Sequence, residues 1–85
     1  MQLVIVKFLD ATTFDHWALK DYVDKTKCKV CYACGLLFEE NDKVTKVALL
    51  CSEDKESFSN WVSIPTPCVL ACDVIKEVDW EVPDA

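Results

Sequence analysis

Apolar positions fall in five separated runs along the chain. Residues 3–9, LVIVKFL, are apolar apart from Lys7 and rich in β-branched side chains, which predicts a first strand, largely buried. Thr12, Thr13 and Asp15 then offer caps for a short helix covering part of residues 16–25, where Trp17, Leu19, Tyr22 and Val23 form one apolar face. Polar residues 25–29 predict a loop. Residues 30–38 are a long apolar run, and Glu39, Glu40, Asn41, Asp42 and Lys43 make a turn signal. Residues 44–51 begin with apolar and polar positions in alternation, so the two runs predict a β-hairpin. A charged loop at 52–57 leads to a second alternating run. There Phe58, Asn60, Val62 and Ile64 fall on one side, with Ser59, Trp61 and Ser63 on the other. Pro65 and Pro67 break that strand, because proline removes a ladder donor and fixes φ. Residues 68–71 resume as a short strand, and Asp73 is placed to cap a final turn through Val78. The closing WEVPDA reads as a loosely held tail.

This order predicts a mainly β (α+β) fold, a small five-stranded SH3-like or Sm-like barrel with one short helix after the first strand. Residues 1–80 form the single domain and 81–85 the tail. The long second strand bends to serve both sides of such a barrel. Gly35, the only glycine, sits where the bend needs a residue without Cβ.

Composition narrows the function classes. Eighty-five residues make one modest core, and 52% apolar residues with nine aromatics are enough to build it. No run approaches the ~20 apolar residues of a membrane helix. The opening MQLVIVKFLD reads as a strand and not a secretion leader, which sets the expectation of a cytosolic chain with reduced thiols. The net charge is −6, and all nine cationic side chains are lysines. An acidic chain repels nucleic-acid phosphate, and without arginine the bidentate fork that grips phosphate or guanine is missing. Nucleic acid is therefore not an expected partner, whereas a small anionic ligand held by lysines and backbone amides is.

The six cysteines pose the main chemical question. Cys31-Tyr32-Ala33-Cys34-Gly35 has the spacing of a zinc knuckle, and Cys68 and Cys72 could complete a four-cysteine site in a structural or adaptor domain. Against this, the second pair is x₃-spaced, both pairs lie in apolar runs, and Cys28 and Cys51 are left over. The plainer reading takes cysteine as a small buried hydrophobe. No βαβ pattern surrounds the pair to support a redox dithiol. His16 is the only histidine, and the sequence places no cysteine beside it as a nucleophile. Asp10, Asp15, Asp21 and Asp24 lack the spacing of a calcium loop, and no phosphate-binding glycine loop or hydrolase elbow occurs. The expectation is a non-enzymatic protein without a cofactor. Trp17 is expected to anchor the helix to the barrel. Trp61, opposite Phe58 and Val62, is expected either exposed at a subunit contact or ligand site or, on the plainer reading, partly buried under the helix.

Several short motifs carry a resemblance. They are V-K-F-L-D-A-T at 6–12 followed by Trp17, C-Y-A-C-G-L-L at 31–37, V-A-L-L at 47–50 and I-P-T-P-C-V-L at 64–70. Over most of its length the chain resembles a group of small uncharacterised proteins of tailed bacteriophages and prophages. In that pattern a tryptophan usually follows the glycine, where this chain has Leu36, and no cysteine pair precedes it. The resemblance implies that Gly35 and Cys68 belong to the barrel, and it transfers no catalytic residue. The expected function is thus a phage accessory protein of the host cytoplasm. It would bind a host protein or a small, possibly nucleotide, ligand, counteract host defence, and self-associate through exposed edge strands. Asp10, Thr12, His16, Trp17 and Trp61 are the candidate ligand- or partner-binding residues.

Overall fold

The computed structural model describes residues 1–11 and 16–79. Its elements are β1 (Gln2–Asp10), α1 (Lys20–Lys25), β2 (Lys29–Glu40), β3 (Val44–Cys51), β4 (Phe58–Pro65), a 3₁₀ turn (Thr66–Cys68) and β5 (Val69–Glu77). All strand pairings are antiparallel, and one sheet runs in the order β4-β3-β2-β1-β5. The mainly β, five-stranded expectation holds, but the sheet does not close into a barrel: β4 and β5 remain its two edges. Closure would have β4 hand over to β5 at the proline corner. Pro65 and Pro67 have no N–H to extend a ladder there, and the intervening residues wind into the 3₁₀ turn.

The long β2 does serve both sides, as its uninterrupted apolar run suggested. Its first part pairs with β1, from Asp10↔Lys29 to Gln2↔Leu37, and its last part with β3, from Leu36↔Ala48 to Glu40↔Thr45. Gly35 stands at the handover and is buried. A Cβ there would overlap the Ala48 carbonyl oxygen and lie 3.0 Å from Val47 Cγ1. Only glycine lets the two backbones approach this closely.

The core is small. Val4 and Val6 of β1, fully buried, pack with Val47 and Ile64, and Phe8, Ala33, Leu37, Cys68 and Val69 pack around them. Buried Thr45 is satisfied by a hydroxyl chain. Its Oγ1 is 2.9 Å from Thr66 Oγ1, and Thr66 Oγ1 donates to the Asn41 carbonyl at 2.7 Å. Thr66 N–H also donates to the Lys43 carbonyl at 3.0 Å, so the β4–β5 corner is tied to the β2–β3 turn. In that turn Asn41 Oδ1 accepts from the amides of Lys43 and Val44, both at 2.9 Å, which is the local chemistry an Asn brings to a tight hairpin.

Two expectations are corrected at the chain's second half and after β1. The last strand does not stop at residue 71 with a turn capped by Asp73. It continues to Glu77 because the whole outer length of β1 is free to pair, from Phe8↔Val69 to Gln2↔Glu77, with irregular register at two points. The helix spans only six residues, begins at Leu19 without a side-chain cap, and buries none of its residues. The cap candidates Thr12, Thr13 and Asp15 and the 81–85 tail lie outside the described residues. The chain measures 62 × 23 × 19 Å, and its radius of gyration of 16.9 Å exceeds the ~12 Å of a compact domain this long.

Candidate functional site

The candidate residues separate into two places. Asp10 ends β1, with its Oδ1 accepting the Ala11 amide at 2.9 Å, and His16 and Trp17 follow in an exposed segment leading to α1. Trp61 lies on the edge strand β4, with β3 and β2 between it and β1. The sheet therefore does not bring Trp61 together with Asp10, His16 and Trp17. Thr12 lies outside the described residues.

The expectation that Trp17 anchors the helix to the sheet is overturned: the side chain is fully exposed, at 102%. A helix of six residues is too short to be stable by itself, and here it has no packed face to compensate. The apolar side chains on it stay in water instead of reaching the sheet.

Trp61 is half exposed, at 55%. Its neighbours were not predicted. Phe38 stacks on Phe58 with ring centroids 4.1 Å apart and planes inclined by 14°, and meets Trp61 edge-on at 6.5 Å and 87°. Strict alternation would put Phe58 and Trp61 on opposite faces. Asn60 breaks the alternation: its φ is +52°, so the strand turns over between Phe58 and Trp61. Phe38 is the unpaired residue where the β2–β3 register shifts between Leu37 and Glu39, which frees its ring to reach both partners. The only hints in the sequence were Asn60, a residue tolerant of positive φ, and the aromatic at each of the three positions. The result is an aromatic shelf on an edge strand, with Trp61 half exposed. Aromatic pairs of these geometries each contribute ~0.5–1.5 kcal/mol beyond area burial, so Trp61 is held in position before anything binds.

The four-cysteine metal site does not form. Cys31 pairs opposite Phe8 on the core side and Cys34 opposite exposed Ile5, because residues three apart on a strand point to opposite faces. Among the described residues no three metal-binding side chains come together, and all six cysteines are free thiols. Cys72, beside Val6 on β5, has its pKa raised, first by loss of water and then by the carboxylates of Glu40 and Asp73. In the β3–β4 loop, Asp54 is held below the usual carboxylate range. Ser52 Oγ donates to it at 2.6 Å, and the Glu56 amide adds a bond at 3.0 Å.

Among the described residues no helix is long and apolar enough to cross a membrane. No family model matches this chain, and the searches of curated proteins and of solved structures found no match either.

Proposed function

We propose that this chain is a non-enzymatic phage accessory protein that works by binding. It self-associates in the host cytoplasm and holds a host protein or a small anionic, nucleotide-like ligand, so as to counteract host defence. The observation that carries this reading is the Trp61 shelf. A half-exposed tryptophan, in ring contact with Phe38, which in turn stacks on Phe58, stands on an edge strand that is paired on its β3 side only. A base or an aromatic side chain can stack on such a ring, and an extended segment can pair with the strand beside it. Stacking on a rigid ring avoids the ordering cost that a mobile side chain adds to binding.

The test is a pull-down from infected-host lysate with wild type and Trp61→Ala, read by mass spectrometry for proteins and small molecules, then repeated with the purified candidate. A species retained by the wild type and lost by a folded Trp61→Ala variant supports the reading. A wild type that retains nothing, or one whose captured species ignores the substitution, refutes it.

A further inference from the structure

The sheet has a second apolar face that its core does not use. Along β1 the residues facing away from Val4 and Val6 include Ile5 and Leu9, and the register sets them beside Cys34 and Val30 of β2, with Tyr32 opposite Lys7. Ile5, Leu9, Val30, Tyr32 and Cys34 are all exposed. An antiparallel sheet with one face in water alternates polar residues there, and on β1 and β2 only Lys7 interrupts the apolar positions of this face. At the end of the same two strands stands a second uncovered apolar group. Trp17, Leu19 and Val23 are exposed by 102, 82 and 57%.

We propose that residues 16–25 are an exchange arm. In a symmetric dimer, Trp17, Leu19 and Val23 of each copy cover the outer face of β1 and β2 on the other. The inference rests on the self-association part of the function proposed above, and it locates the contact on the arm and not on the Trp61 shelf.

Three observations select a second copy as the occupant. The first is charge. Residues 16–29 hold four lysines and two aspartates, a net +2, while the other 71 residues hold five lysines and thirteen carboxylates, a net −8. The face itself is mixed, with Asp73 beside Ile5 and Lys7 opposite Tyr32, so the attraction is between the arm and the body as a whole. A cationic arm and an acidic body attract each other and steer the encounter. The second is geometry. Only Thr26, Lys27 and Cys28 separate α1 from β2, and Thr26 is extended, with φ −78° and ψ 134°. The link holds the helix out beyond the strand ends and not over its own sheet. The third is area. One tryptophan with a leucine and a valine offers ~500 Å² of apolar surface and covers about as much. Two arms in a two-fold dimer then bury ~2,000 Å² in total, above the ~1,600 Å² of a standard stable interface.

The test mixes copies carrying methyl-labelled Ile, Leu and Val with unlabelled copies and records nuclear Overhauser contacts between the two populations. Light scattering and thermal melts follow on Trp17→Ser/Leu19→Ser and on Trp61→Ala. Contacts from Trp17 ring protons of one copy to Ile5, Leu9 and Val30 methyls of the other are expected. The arm variant should weaken the dimer at least tenfold with little change in melting temperature, since Trp17 and Leu19 are exposed by 102 and 82%, and Trp61→Ala should leave the contacts in place. Arm contacts found only within one copy overturn the proposal. So does a dimer untouched by the arm variant, although self-association then stands by another surface. A wild type that stays monomeric on the order of 100 µM, where a micromolar dimer is saturated, overturns both.

Discussion

Replacing Gly35 by alanine puts one methyl group where the structure has least room for it. The obstacle is the Ala48 carbonyl and Val47 Cγ1 of β3, not the far end of a flexible side chain. Relief requires β2 and β3 to part where Leu36 and Leu37 pair with Ala48 and Val47. Overpacking of this kind costs ~1–3 kcal/mol, and each ladder hydrogen bond weakened adds ~1 kcal/mol. The lower entropy of the unfolded alanine chain returns ~0.4–1 kcal/mol. The net expectation is a loss of ~2–3 kcal/mol. An 85-residue domain has ~4–13 kcal/mol in all, so the variant sits near the edge of folding, and its melting temperature drops by ~10–20 °C. Urea unfolding followed by circular dichroism measures the change, with Glu53→Ala in the exposed β3–β4 loop as a control expected within ~0.5 kcal/mol of wild type. If Gly35→Ala is as stable as that control, the close approach of β2 and β3 described above is wrong.

Three further outcomes follow from local chemistry. Asp54 should titrate below its value in the unfolded chain. The small stabilisation that its depressed pKa reports is present above the ordinary carboxylate range and fades as pH falls through the lowered value; Ser52→Ala should move the NMR-monitored midpoint up, and no movement would reject the Ser52 bond as the main cause. Native Cys72 should react with iodoacetamide at pH 8 more slowly than the same residue in denaturant, because less of it is thiolate, and Glu40→Gln with Asp73→Asn should narrow the gap; equal rates in both states would remove the case for a raised thiol. Protein purified without chelator should hold no stoichiometric zinc and melt identically with and without EDTA. One zinc per chain, lost together with the fold, would reinstate the four-cysteine site.

The strands were legible where a short-range pattern matched the pairing. β3 was bounded correctly by the turn signal before it and the charged loop after it; β2 was found from its apolar run at 30–38 but extends to Lys29 and through Glu39 and Glu40, because β1 and β3 supply partners there. The failures lie where partners decide. Asp73 has the chemistry of a cap, yet β5 passes through it because β1 offers a free edge. Trp17, Leu19, Tyr22 and Val23 have helical spacing and look like a packing face, but spacing does not report whether a sheet stands behind the helix. That Phe58 and Trp61 both meet Phe38 goes with one positive φ at Asn60, a single-residue event that a period of two does not encode. Barrel closure was the natural reading of five strands and a proline corner. It fails because closure needs an edge-to-edge ladder that sequence periodicity does not encode.

The central claim is that this domain functions by association, through apolar surface that its own fold leaves open. Sedimentation velocity on the wild type across a concentration series tests it most directly. The account predicts a reversible shift from a species near the 9.7 kDa chain mass to one of twice that mass, weakened by added salt because the opposed charges are screened. A single species of chain mass at every concentration, unaffected by salt, would contradict it.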